Sequence, residues 1–74
     1  MTSIDLSAYK SPREAAKALE ARRKEIEREF QRLRELLTRG EISQEEFEER
    51  RRKLEREFIE VMDRLVQVRF LMSR

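Results

Sequence analysis

Hydrophobic residues recur along the chain at alternating steps of three and four, the spacing of α-helices that pack along one seam. In the first half the positions are Leu19, Ile26, Phe30, Leu33 and Leu37. In the second half they are Phe47, Leu54, Phe58, Val61, Leu65, Val68 and Met72. Arg23 and Arg51 each fill the one gap in their stripe. The pattern predicts two long helices, each with a single apolar seam.

Capping residues give the bounds of these helices. Ser11 precedes Pro12 and has Glu14 three positions later, which is the signature of a helix start. Gly40 provides a helix end, and Ser43 opens a second capping box. These signals predict an N-terminal arm at 1–10 and a hairpin at 11–74, which consists of a helix at 12–39, a turn at 40–43 and a helix at 44–72.

The predicted fold is an all-α, antiparallel two-helix hairpin with coiled-coil-like packing. Folding the chain at its turn pairs Leu37 with Phe47, Phe30 with Leu54, Ile26 with Phe58 and Leu19 with Leu65. A domain of this size buries a thin core, and it contains no Cys for disulfides. We therefore expect a second copy or a larger partner to complete a helical bundle.

The predicted turn also carries a family resemblance. Leu33, Leu36, Leu37, Gly40 and Ile42, followed by Ser43, Glu45, Glu46, Phe47, Lys53 and Leu54, resemble the short C-terminal (SHOCT) domain across residues 33–54. The same stretch is similar to the helical hairpin of gas-vesicle accessory G proteins. The resemblance implies a small hairpin that serves in oligomerisation or docking and performs no reaction.

Composition narrows the functional classes. Charged residues make up 46% of the chain, and alternating Glu and Arg indicate surface ion pairs of the kind found in thermophile proteins. The formal net charge is only +2, which is too small to indicate a nucleic-acid binder by itself. Residues 1–10 lack the apolar core of a signal peptide, and no apolar run is long enough to span a membrane. We therefore expect a cytoplasmic protein.

The second half of helix two carries more apolar residues than one partner helix can cover. Ile59, Met62, Val66 and Phe70 form a second stripe beside the seam, with Leu71 close by. Three coverings remain open: the N-terminal arm through Ile4, Leu6 and Tyr9, a second copy of the chain in a four-helix bundle, or a larger partner. The sequence predicts a protein interface at these eight residues.

Charges beside the seam bear on the same question. The predicted register sets Glu27 against Glu55, Glu29 against Glu57 and Arg22 against Arg64, and it thus brings like charges together. Arg23 is expected to reach Glu27, and Arg51 to reach Glu55, one turn along the same helix. These contacts, or a second chain, would relieve the repulsion.

A basic belt is the only sequence feature that points to nucleic acid. Its candidate phosphate-binding residues are Arg32, Arg34, Arg50, Arg51, Arg52 and Lys53. Glutamates interleave with them, and four consecutive basic residues on a helix point in four directions. The belt supports an alternative function, that of a nucleic-acid or ribonucleoprotein accessory subunit on a polymerase or ribosome.

Catalytic chemistry has no candidate residues. The chain lacks His and Cys, and the acidic residues around the turn suit the positive end of a helix dipole better than a metal site. We expect no enzyme activity, no metal or other cofactor and no small-molecule substrate. The favoured function is a small helical interaction protein that mediates oligomerisation or docks onto a larger assembly.

Overall fold

The computed structural model describes residues 11–73, which fold into two antiparallel helices joined by a short turn. Helix α1 spans Pro12–Thr38 and helix α2 spans Gln44–Met72. Together they form a rod of 48 × 18 × 17 Å. The predicted all-α hairpin is confirmed. The predicted N-terminal arm lies outside the described residues.

Side-chain caps begin both helices. The Ser11 hydroxyl accepts a hydrogen bond from the Glu14 amide at 3.1 Å, and Pro12 occupies the first helical turn, where its missing N–H costs nothing. The Ser43 hydroxyl accepts from the Glu46 amide at 3.0 Å. Each cap satisfies an amide that has no partner within its helix.

The turn is fixed by backbone hydrogen bonds at the end of α1. Gly40 adopts φ +73°, a left-handed conformation that only glycine enters without strain. The Glu41 amide donates to the Leu36 carbonyl at 2.9 Å, and the Gly40 amide donates to the Leu37 carbonyl at 3.0 Å. This pair of bonds is the Schellman motif. It sets the direction in which α2 returns along α1.

The best-buried residues extend from the middle of the hairpin to the free ends of the helices, away from the turn. The cluster consists of Ala15, Leu19, Ile26, Val61, Leu65 and Val68, all at most 2% exposed. Leu33 is also buried, whereas the large seam residues nearer the turn are only half-buried: Phe30, Leu37, Phe47, Leu54 and Phe58. Met72, predicted to continue the seam, is 45% exposed.

One aromatic contact shows how the two helices are aligned. The rings of Phe30 and Phe58 meet edge to face, with centroids 6.4 Å apart and planes inclined at 74°. The predicted register placed Phe30 beside Leu54 and Phe58 beside Ile26, and it did not predict the contact between the two rings. Long aromatic side chains reach diagonally across the seam, so this pair stabilises the middle of the hairpin.

We expect Ile26→Ala to lower the free energy of unfolding by about 2–5 kcal/mol, because Ile26 is fully buried against α2 and truncation leaves a cavity. Urea denaturation followed by circular dichroism measures this change. The control is Gln31→Ala on the exposed face of α1, where the expected change is within about 0.5 kcal/mol. Equal effects from the two variants would contradict the assignment of the core.

Candidate interaction surfaces

The second apolar stripe on α2 is largely exposed. Ile59 is 59% exposed, and Val66 and Phe70 are both 64% exposed. Met62, between them, is half-buried and packs against the core cluster. The stripe of Ile59, Met62, Val66 and Phe70 therefore begins at the edge of the seam and continues onto the open surface.

Leu71 belongs to a different face of α2. It is 48% exposed, but it follows Phe70 by one residue and so points about 100° away around the helix. Leu71 is therefore separated from the stripe with which the sequence grouped it. Ile4, Leu6 and Tyr9, which form one of the three coverings that the sequence left open, lie outside the described residues.

Arg22, which the predicted register placed opposite Arg64, forms ion pairs with several carboxylates. Arg22 forms a bidentate ion pair with Glu57 of α2, in which Nε donates to Oε2 at 2.6 Å and Nη2 donates to Oε1 at 2.7 Å. Its remaining nitrogen, Nη1, donates to Glu25 at 3.0 Å and lies 3.5 Å from Glu29. Arg22 therefore links Glu29 and Glu57, which the sequence predicted would repel each other.

The sequence placed Arg22 opposite Arg64 and did not predict the contact of Arg22 with Glu57. Glu57 lies seven residues, about two helical turns, from Arg64 along α2, within reach of the long Arg22 side chain. The hydrogen bonds from Arg22 hold the pKa of Glu57 below its usual value, against an opposing effect of burial. A second bridge, from Arg69 Nη2 to Glu20 Oε1 at 2.6 Å, joins the helices near their free ends.

The arginines that fill the seam make the contacts predicted for them. Arg23 donates to Glu27 at 3.1 Å, and Arg51 donates to Glu55. Each arginine also binds a carboxylate one turn in the other direction, Glu20 at 2.8 Å for Arg23 and Glu48 at 3.1 Å for Arg51. The hydrogen bonds from these arginines lower the pKa of Glu20 and of Glu48.

The basic belt is divided among several faces. Arg32 and Arg34 are two residues apart and so lie about 160° apart around α1. Arg51 is held in the seam, while Arg50 pairs with Glu46 at 2.7 Å and Lys53 approaches Glu49 at 3.9 Å. Among residues 11–73, no carboxylate pairs with Arg32, Arg34 or Arg52.

Three residues of the belt do come together, around an apolar groove that sequence reasoning missed. The groove lies between the helices in the half of the hairpin nearer the turn, and its floor is formed by Leu33, Leu36 and Leu54. Arg32, Arg50, Lys53 and Glu29 form its rim. The sequence places these side chains on two separate helices, so only the packing of the hairpin shows that they meet.

The described residues contain neither a metal-binding cluster nor a membrane-spanning helix. Within residues 11–73, no three Asp or Glu side chains are grouped as metal ligands would be. Neither of the two described helices has an apolar stretch long enough to cross a bilayer.

Comparison with known proteins agrees with this geometry. Residues 28–55 match the family model of the short C-terminal domain, SHOCT. This segment is a SHOCT-like helical hairpin. It contains the turn, its Schellman motif and the groove, and the resemblance predicted from residues 33–54 is confirmed. No curated protein and no solved structure matches the chain.

The stripe of Ile59, Met62, Val66 and Phe70 lies beyond the SHOCT-like segment. The family match ends at residue 55, whereas α2 continues to Met72. All six residues of the best-buried cluster also lie outside the match, and of the partly buried residues packed against the cluster only Phe30 and Leu54 fall within 28–55. The far half of the hairpin thus carries both the core and the stripe.

We expect the contribution of Glu57 to stability to depend on pH. Because its folded-state pKa is lowered, the Arg22–Glu57 pair stabilises the fold above the unfolded pKa of about 4.3 and loses this effect as the pH falls through the folded value. Glu57→Gln should therefore lower the free energy of unfolding by about 1 kcal/mol or less at neutral pH. The difference from wild type should shrink in acid, as measured by urea denaturation at about pH 7 and pH 3.

Glu35→Gln is the matched control, because Glu35 is exposed and has no ion pair among the described side chains. Its effect is expected to stay within about 0.5 kcal/mol at both pH values. If Glu57→Gln lowers the free energy of unfolding as much in acid as at neutral pH, the ion pair with Arg22 is not the cause of the loss.

Proposed function

We propose that this chain is a non-enzymatic helical interaction protein that associates with a second copy of itself through the stripe of Ile59, Met62, Val66 and Phe70. The exposure of Ile59 and Val66, at 59% and 64%, carries the proposal. Both residues are well separated from the seam, so α1 does not cover them. A second helical surface packed here would form a four-helix bundle.

The energetics favour covering the stripe. Full burial of a side chain the size of Val or Ile contributes about 1.5–3 kcal/mol relative to leaving it in water. Small domains have total stabilities of only about 5–15 kcal/mol, so two or three such side chains form a large fraction of what is available. Association with another chain is a usual support for domains below roughly 80 residues.

The order of residues along the stripe suits a second copy. The positions are separated by three, four and four residues, so the stripe runs nearly parallel to the axis of α2. If two copies of α2 pack antiparallel, Ile59 of one lies opposite Phe70 of the other, and Met62 lies opposite Val66. The same surface then serves both subunits, as a two-fold symmetric interface requires.

The chemistry of the described residues supports a function without catalysis. The sequence has neither His nor Cys. The carboxylates with lowered pKa, Glu20, Glu48 and Glu57, owe the shift mainly to hydrogen bonds from neighbouring arginines. Such shifts belong to structural ion pairs, and they keep the carboxylates charged at neutral pH. The SHOCT-like segment is compatible with this interpretation.

The alternative of a nucleic-acid accessory subunit rests on the exposed arginines that lack a carboxylate partner among the described residues, such as Arg34 and Arg52. The two functions predict opposite effects of substitutions and of salt on binding. Phosphate binding would be weakened by Arg52→Glu and by a higher salt concentration. The stripe contains no charge, so self-association through it should be unaffected by either change.

We expect Val66→Glu to weaken self-association at least tenfold. In the antiparallel arrangement Val66 lies close to the two-fold axis, so the variant would bury two carboxylates without partners. Size-exclusion chromatography with light scattering measures the mass over a range of protein concentrations. Wild type should show a dimer that dissociates on dilution, and Val66→Glu should show a monomer.

Gln67→Glu is the control, because it adds the same charge at the next residue, which is exposed about 100° away around α2. It should dimerise like the wild type. The proposed interface would be contradicted if the wild type is a monomer at high concentration. It would also be contradicted if Val66→Glu and Gln67→Glu weaken self-association equally.

A further inference from the structure

The groove near the turn is a second surface with the features of a binding site. It encloses about 330 Å³ between the helices. Leu33, at 7% exposed, forms the deepest part, and the half-buried Leu36 and Leu54 complete the floor. The three leucines come from both helices, so the shape of the groove depends on the packing of the hairpin.

The rim of the groove is predominantly cationic. Arg32 lies on the α1 side, Arg50 and Lys53 lie on the α2 side, and Glu29 is the one carboxylate among the lining residues. Glu29 is itself approached by Arg22 at 3.5 Å. Arg32 has no ion-pair partner within residues 11–73, and Lys53 remains 71% exposed beside Glu49. Cations therefore face the groove from both sides.

We propose that this groove binds an amphipathic helix of a partner protein, with its apolar residues on the leucine floor and its flanking carboxylates on Arg32, Arg50 and Lys53. Grooves that take up the apolar face of a helix are a recurrent mode of peptide recognition. The arginine on each wall suits carboxylates because its planar guanidinium group can bind both oxygens. The charge of the rim selects an acidic partner over a basic one.

The proposed ligand follows from the combination of floor and rim. A protein surface that binds nucleic acid needs cations and main-chain amides along the path of the sugar-phosphate backbone. Binding of a single strand also uses aromatic side chains of the protein, on which the bases stack. None of the described residues that line the groove is aromatic, and its floor consists of aliphatic side chains. An apolar strip between two cationic edges instead matches a helix with an apolar stripe between acidic edges.

The groove and the stripe on α2 are separate surfaces. Arg50 and Ile59 are nine residues apart on one helix, so they lie about 180° from each other around its axis. The groove also falls within the SHOCT-like segment, whereas the stripe lies beyond it. A dimer formed through the stripe would therefore leave one groove open on each subunit.

Binding of a synthetic peptide to the full chain tests the proposal. The probe is a fluorescein-labelled helix of about eighteen residues with leucines at helical spacing and glutamates on both flanks. A matched peptide carries lysines in place of the glutamates, and a labelled single-stranded oligonucleotide is the third probe. Fluorescence anisotropy measures affinity, and amide shifts of Leu33, Leu36 and Leu54 in NMR spectra locate the site.

We expect the acidic peptide to bind and the lysine peptide to bind at least tenfold more weakly. Arg32→Glu should weaken the acidic peptide about three- to tenfold, and adding Lys53→Glu should weaken it further. Arg34→Glu is the matched control, since it makes the same change two residues away, on an exposed position that does not line the groove. It should leave the affinity unchanged.

Circular dichroism melts of the variants establish that each one is folded. The proposal is overturned if the two peptides bind equally, if Arg32→Glu and Arg34→Glu have the same effect, or if the acidic peptide shifts none of the three leucine amides. It is also overturned if the oligonucleotide shifts those amides and displaces the peptide, because the groove would then be a phosphate site.

Discussion

The packing of one face of α1 against one face of α2 is the interaction on which the rest of the structure depends. A helix presents its side chains around a full circle, and a single antiparallel neighbour covers only part of it. The described hairpin therefore encloses a narrow line of fully buried residues, represented by Ile26, Val61 and Leu65. Apolar residues that lie beyond this line stay exposed, and that excess is the origin of the proposed interface.

Charged residues hold the same seam together where apolar ones are missing. Arg23 and Arg51 occupy core-facing gaps and are satisfied by carboxylates on either side along their own helices. Arg22 crosses the seam to Glu57 and also serves Glu25 and Glu29. Each partly exposed pair contributes little alone. Together they allow a chain that is 46% charged to fold around a thin core without unbalanced like charges across the seam.

The fold could be predicted from local signals in the sequence. The side-chain contacts between the helices could not. The Ser11 and Ser43 caps and the turn at Gly40 act within a few residues, so the sequence is enough to identify them. The reach of long side chains depends on their conformations and on the register between the helices, which is why the contact of Arg22 with Glu57 was not predicted. The stripe followed from helical spacing, apart from Leu71. The groove joins residues of two helices, and its outline required the packed structure.

Two surfaces on opposite sides of one hairpin underlie the proposal that the far half of α2 pairs with a second copy while the SHOCT-like half remains free. Dimerisation stabilises the folded state in proportion to the logarithm of concentration, so the melting temperature becomes concentration-dependent. Thermal unfolding by circular dichroism over a hundredfold range of wild-type concentration tests this claim most directly. If the chain dimerises through the stripe, the melting temperature should rise by several degrees with concentration. A melting temperature that stays constant across the range would contradict it.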